Sequence, residues 1–420
     1  MRRMEDLDVS DLLTVVQAMA VLDAAPVRPR IEQIPLAEAA GRRLAEDLLA
    51  DRDFPPFHKS QMDGYAVRSA DAATAPVELR VIAEVLAGGT FNAELQPGET
   101  VAIMTGAPLP AGADGVVPVE ETSRVDDRVT LHKIATRGKY IAPRGSDMTA
   151  GQVVLRKGAL LDAPQLAVAG SIGAATVKVF ARPRAAVLST GDEIVPIDKI
   201  PGPSQIRNSN SLMLLTMLRK TGCDVTDLGT VRDEPSLIRA AIEEGSAYDV
   251  LFVTGGMSMG THDFVPRVLT DLGFDLKITK LRIKPGKPFV FATKSPTSDA
   301  DPPRYIFGLP GNPVSGFVCT SRLASRLIAR MNGGEPREKW LAGRLDIGLP
   351  PNGPREFYQP VLWSPAQGGT SARSEFANVT PLAWKGSADL FTLAKANALL
   401  VRPENEPPLA KGTLIRVLEI

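Results

Sequence analysis

The sequence has little of what most metal and redox sites are built from: two cysteines and three histidines in 420 residues. Cys223 and Cys319 cannot form a disulfide framework or a cysteine-rich zinc site, and are expected to be small buried hydrophobes. His58, His132 and His262 lie scattered along the chain, which argues against a histidine-based metal centre. Net charge is missing too. Lys plus Arg number 48 and Asp plus Glu 48, so there is no electrostatic footprint for nucleic acid or an anionic membrane. No apolar run approaches the length of a spanning helix, and acidic residues follow the first two arginines where a signal peptide needs an apolar core. These absences point to a soluble, cytoplasmic protein with no membrane or nucleic-acid partner.

What the chain has in quantity is punctuation: 35 Pro and 36 Gly, which implies many short strands and tight turns. The length calls for more than one core. Residues 1–183 read as a helix, "VSDLLTVVQAMAVLDAA" with Ser10 as its cap, a second short helix around "LAEAAGRRLAEDLL", and then a β-rich region of one or two interleaved domains. From Arg184 to about residue 330 the rhythm becomes strand, loop, helix, strand, which specifies a doubly wound, mostly parallel α/β sheet with ligands outside its C-terminal edge. Within it "SNSLMLLTMLRKTG" reads as a helix capped by Ser209 or Asn210, and "SGFVCTSRLASRLIARM" as one closing amphipathic helix. Residues 331–420 return to short strands and read as a small C-terminal β-barrel.

Four loops of the α/β part end strands in polar, glycine-bearing text: "TGDE" from Thr190, "VRDEP" from Val231, "TGGMSMGTHD" from Thr254 and "LPGNPVSG" from Leu309. Glycine lets the backbone take positive φ and turn amide N–H groups toward an anion, so a phosphate-bearing ligand fits. The residues expected to seat it are Thr190, Gly191, Gly255, Gly256, Ser258, Gly260, Pro310, Gly311 and Asn312. The same loops carry Asp192, Glu193, Asp233 and Asp263. Two charges ~4 Å apart interact by ~4 kcal/mol at an effective dielectric near 20, so these carboxylates beside phosphates call for a cation. Mg²⁺ suits hard oxygen ligands. The blander alternative for each acid is a helix cap or first-turn charge.

"KITKLRIKPGK" holds five basic residues and no acid, and Lys284 and Lys287 flank its Pro-Gly turn, as an oxyanion contact or a solvated edge. "GGMSMG" matches the nucleophile-elbow pattern around Ser258, but a hydrolase needs a histidine well downstream and only His262 follows. Neither a P-loop nor a G-x-G-x-x-G fingerprint is present.

Taken in order, "MDGYA", "MTGAPLPAGADGVVPVEET", "STGDEI", "IRNSNS", "TGGMSMGTHDF", "KPGKP" and "GLPGNPVS" closely resemble the molybdopterin molybdenumtransferase family over nearly the whole chain. The resemblance implies an elongated multidomain homodimer that inserts molybdenum from molybdate into adenylated molybdopterin, with a divalent ion and release of AMP. It implies a site of Asp63, Thr105, Glu193, Asp233, Asp263, Lys284 and Lys287, with Asp63 and Thr105 serving the cleft of the partner subunit. Arg355 of "PREF" and Ser387 of "KGSADL" look like the family's oxyanion-contacting Arg and Ser, against a surface Arg and a turn Ser as the plain alternatives. After "REF", where many relatives carry a further basic residue, this chain reads "YQP". Protein partners would be an upstream molybdopterin adenylyltransferase and downstream molybdoenzyme factors. The rival readings are a non-catalytic scaffolding dimer and a tungstate-handling paralogue.

Overall fold

The computed structural model describes residues 9, 12–257, 264–296, 298, 301–365 and 376–420. The chain divides into two units, one of residues 33–40 and 44–178, the other of residues up to 32, 41–43 and 179–420.

In the second unit the alternating text from Arg184 folds into one six-stranded sheet: β1 Arg184–Thr190, β2 Asp224–Val231, β3 Val250–Thr254, β4 Asp275–Ile278, β5 Val290–Lys294 and β6 Arg304–Leu309. The order across it is β2-β1-β3-β6-β5-β4. β1, β2, β3 and β6 run parallel, whereas β5 runs antiparallel to both neighbours. Register pairs Ser189 with Thr254 and Thr254 with Leu309, so the three central strands finish level.

Every residue of β3 is buried, as a strand covered on both faces requires. Its side chains alternate between the two layers: Val250 and Phe252 pack with Leu214, Leu218 and Phe307, while Leu251 and Val253 pack with Ile238, Ile242 and Leu269. The helices supplying these layers are α1 Val15–Ala24, α2 Ser209–Lys220, α3 Pro235–Gly245, α4 Val265–Asp271, α5 Pro313–Cys319 and α6 Ser325–Met331. The same unit contains β7 Trp340–Leu345, β8 Glu356–Ser364, β9 Ala377–Pro381, β10 Ala398–Arg402 and β11 Leu414–Glu419. They close in the order β8-β9-β7-β11-β10 and back to β8, a five-stranded barrel. A two-residue strand, Ile283–Lys284, adds in parallel to the start of β8.

The other unit has its own six-stranded sheet, in the spatial order Gly115–Pro118, Gly64–Val67, Glu99–Ile103, Val77–Val85, Arg128–Leu131 and Thr122–Val125. Its cores gather around Tyr65, Val67 and Leu131 on one side and Ala66, Val101 and Ile103 on the other.

Three local expectations are corrected and a fourth is refined. α1 is capped by Thr14, whose hydroxyl accepts from the Gln17 N–H while the Gln17 side chain accepts from the Thr14 N–H; this reciprocal box outcompetes an earlier start, and Ser10 lies outside the described residues. The second short helix reduces to one 3₁₀ turn, Leu36–Glu38, because the N–H groups of Leu44 and Ala45 bond across to Ala159 and Lys178 rather than back along a helix. The β-rich region includes a helix, Ala163–Ser171, started by Asp162 at its cap and Pro164 in the first turn. The closing helix runs without a break from Pro313 to Met331, with a π-helical turn at Thr320–Ala324 between α5 and α6.

Candidate functional site

A cleft of about 300 Å³ lies at the C-terminal edge of the central sheet, where ligands of open α/β sheets bind. Its floor is made by the level ends of β1 and β3 and the loop after β6, contributing Ser189, Thr190, Thr254, Gly255 and Gly311. The start of α2, the start of α5 and Glu193 of "TGDE" form its walls.

Glycine is demanded at two positions. Gly255 takes φ +98°, and a Cβ there would stand 2.3 Å from the Thr190 carbonyl oxygen. Gly191 takes φ +145°, and a Cβ would stand 2.7 Å from Glu193 Oε2. The "TGG" and "TGDE" backbones therefore touch, and the Glu193 carboxylate folds back over its own turn. The Gly191 N–H, which sequence reasoning turned toward a ligand, donates instead to the Val231 carbonyl at 3.2 Å.

Polar groups around the cleft are fixed by Asn208, the actual cap of α2. Its Oδ1 accepts from the Ser211 N–H at 3.1 Å, and its Nδ2 donates to Ser189 Oγ at 3.0 Å and Thr230 Oγ1 at 3.1 Å. Asn210 Nδ2 donates to the Gly311 carbonyl at 2.7 Å and to Thr254 Oγ1 at 3.2 Å. Two oxygens remain over. Thr190 Oγ1 and Asn210 Oδ1 are buried and have no hydrogen-bond partner among the described residues. A buried polar atom left so costs about 1–3 kcal/mol, a cost that a ligand donor or cation removes.

The cleft thus brings together Thr190, Glu193, Gly255, Gly311 and Asn312 of the residues expected from sequence. Asp192 faces an adjoining hollow of about 740 Å³ and pairs with Arg232 at 3.2 Å. Asp233 sits half-buried just before α3. Ser258, Gly260 and Asp263, with His262, lie outside the described residues. Among the described residues no three Asp, Glu, His or Cys side chains converge as a metal cluster. The donors that do share the cleft are one carboxylate, Glu193, and the two orphaned oxygens; this fits Mg²⁺, which binds through one or two carboxylates, substrate phosphates and waters.

Asp63 and Thr105 meet each other in the other unit. Asp63 Oδ1 accepts from the Thr105 N–H at 2.6 Å and its hydroxyl at 2.7 Å, which holds this exposed carboxyl below its ordinary range. Lys284 lies at the barrel: the Ile283–Lys284 strand pairs with Glu356–Phe357, so Lys284 stands opposite Phe357, two residues after Arg355. The Ser387 carbonyl accepts the Val314 N–H at 3.0 Å, which docks the "KGSADL" loop on the helix whose first residues wall the cleft. Sequence reasoning gave no role to Ser189, Asn208 or Thr254. A capping signal in "IRNSNS" was present, but the choice of Asn208 over its neighbours depends on hydroxyls from two other strands.

Three family models match the chain in order: the MoeA N-terminal region (domain I and II) over residues 13–173, a probable molybdopterin binding domain over 186–330 and the MoeA C-terminal region (domain IV) over 342–420. A molybdopterin molybdenumtransferase of Nostoc sp. is 34% identical over 93% of this chain and 88% of its own length. The chain belongs to the MoeA family. Another MoeA-family relative, the molybdopterin molybdenumtransferase of Haemophilus influenzae, is 36% identical over 78% of this chain and 80% of its own. The crystal structure of a molybdopterin biosynthesis MoeA protein from Pyrococcus horikosii superposes with a TM-score of 0.81 at 30% identity, covering 97% of this chain and 99% of that one. The MoeA fold, a mixed central sheet with β-rich parts and a closed C-terminal barrel, is therefore shared along the whole chain.

Proposed function

We infer that this chain is a molybdopterin molybdenumtransferase that takes adenylated molybdopterin and molybdate and releases AMP as molybdenum is placed on molybdopterin. The observation that carries the reading is the cleft at the sheet edge, with two buried oxygens unmatched beside a single carboxylate, in a chain similar throughout to enzymes of that name. Its polar floor suits the phosphates of an adenylate, and the larger adjoining hollow, lined in part by Ile197, Leu212 and Leu215, suits a planar ring system. The three functional parts are 1–183, 184–330 and 331–420, acting as a cytoplasmic homodimer with no membrane or nucleic-acid partner; no described helix is long and apolar enough to cross a membrane. Supply by a molybdopterin adenylyltransferase and delivery to molybdoenzyme factors complete the partner set.

Within this reading the Thr190 hydroxyl donates to the phosphate side of the adenylate, aided by the glycine turns at 256, 260 and 311, while Asn210 Oδ1, which can only accept, takes a ligand donor or the cation. Glu193 would hold Mg²⁺, with Asp192, Asp233 and Asp263 as further candidates, and the ion would offset negative charge at the phosphates. Lys284, Lys287, Arg355 and Ser387 receive the oxyanion. Asp63, kept ionised by Thr105, accepts a proton from the water that cleaves the adenylate, and serves the cleft of a partner subunit.

The test is anaerobic AMP release from adenylated molybdopterin with Mg²⁺, titrating molybdate and then tungstate. Release that depends on molybdate is the expected result; tight binding of the adenylate without turnover would leave only a scaffolding role. Mixing inactive Asp63→Ala and inactive Glu193→Ala chains should restore part of the activity if the two residues act from different subunits.

A further inference from the structure

Several cations of the barrel and its neighbourhood are matched by carboxylates: Arg282 pairs with Glu404, Arg322 with Glu338, and Arg402 with Glu406. Lys284 is not. Among the described residues its ammonium has no acidic partner, and its recorded contact is the face of Phe357, with Nζ 4.9 Å from the ring centroid. The ring does not stand alone: Phe357 stacks on Trp384 with centroids 5.7 Å apart and planes 26° from parallel.

Three features make this arrangement more than incidental packing. Lys284 and Phe357 are direct cross-strand partners, so the ring lies under the lysine stem by register. Trp384 fixes the ring plane from the neighbouring loop, three residues before Ser387. Both rings are only half-buried, so the pair borders open space instead of filling a core.

A lysine carries its charge on a flexible four-carbon stem. A carboxylate partner would immobilise it but would also cancel its charge and repel an incoming dianion. An aromatic face attracts the ammonium through the ring quadrupole and leaves its charge and its remaining N–H donors available. We propose that Phe357 and Trp384 are positioning residues, a stacked aromatic seat that holds the Lys284 ammonium in place for the tetrahedral oxyanion substrate and so sets the affinity for it. This rests on the assignment of Lys284 as an oxyanion contact.

The experiment is a molybdate titration of AMP release, with molybdate binding by calorimetry beside it, on Lys284→Met, Phe357→Leu, Trp384→Leu and the Lys284→Met/Phe357→Leu double variant. Phe357→Leu should raise half-saturating molybdate about 5-fold, the scale of an exposed-to-partly-desolvated cation–π contact, and leave half-saturation by the adenylate unchanged. Phe357→Tyr, which keeps the ring face, should restore it. In the Lys284→Met background Phe357→Leu should add less than about 2-fold, because the coupling partner is gone.

Each failure has a distinct meaning. If Lys284→Met leaves molybdate affinity unchanged, the assignment of Lys284 fails and the seat with it. If Lys284→Met weakens molybdate but Phe357→Leu does not, only the seat is overturned. Equal effects of Phe357→Leu with and without Lys284, or equal loss of affinity for both substrates, would show a packing role and also overturn it. Should Phe357→Leu not yield folded protein by thermal unfolding, Trp384→Leu, which leaves the barrel strand intact, is read by the same criteria.

Discussion

The two ends of β1, β3 and β6 carry opposite chemistry. Where the strands begin, Arg184 opens β1, Arg304 opens β6, and Arg30 joins them around Asp249, the residue before β3. Asp249 is 6% exposed, and its oxygens accept from the Arg184 N–H at 2.8 Å, Arg30 Nη2 at 3.1 Å and Arg184 Nη2 at 3.2 Å. Where the same strands finish, Thr190 and Asn210 keep buried oxygens without partners among the described residues. Saturation marks the end that holds the sheet together, and the open end is where affinity for something else has been kept in reserve.

This contrast is easiest to break at the saturated end. Asp249→Ala leaves three guanidinium groups around an uncompensated site; because they are partly solvated, the loss is expected at about 3 kcal/mol. Urea unfolding measures it, and adenylate binding by the folded protein should be unaltered. Gly255→Ala comes next: a Cβ 2.3 Å from a backbone oxygen, at φ +98°, should cost about 2 kcal/mol of stability and abolish adenylate binding in calorimetry. Thr190→Val sharpens the comparison most. It deletes an unmatched hydroxyl in nearly the same shape, so stability should be unchanged or rise by up to about 1 kcal/mol while adenylate affinity falls about 10-fold. A clear loss of stability in Thr190→Val would remove the distinction between the two ends.

The smallest effect concerns a third, exposed pair. The Thr105 N–H and hydroxyl depress the Asp63 carboxyl below its ordinary 3.8. A depressed acid contributes stability that is fully present above its unfolded value and lost as pH falls through the folded one. Unfolding of wild type and Thr105→Ala should therefore differ at neutral pH and converge as the solution is acidified below that ordinary value.

Much of this contrast was legible in the sequence at one end and hidden at the other. "YDVLFVTGG" announces a buried strand stopping at glycines, and the alternation from Arg184 fixes which edge collects the loops. The orphaned state of Thr190 Oγ1 is invisible there, since a threonine at a strand end is ordinarily satisfied by its own turn. The arginines around Asp249 come from three segments between positions 30 and 304, a coincidence set by register and not by local pattern. The Lys284–Phe357 pairing was equally hidden: "KPGK" reads as a free basic turn until a strand more than seventy residues later lies beside it. Local hydrogen bonding explains the misplaced caps, where Thr14 and Asn208 win because Gln17 and Ser189 happen to be within reach.

The scarcity of cysteine acquires a meaning once the cargo is considered. Cys223 is 3% exposed and Cys319 is fully buried, and burial pushes the Cys223 thiol up to about 12 and the Cys319 thiol up as well. Metals are captured by thiolates, not thiols. A protein that passes molybdenum to molybdopterin thus presents no competing sulfur anion of its own. Sulfur anions in that reaction are then left to the substrate, and the protein meets its cargo through nitrogen and oxygen groups alone.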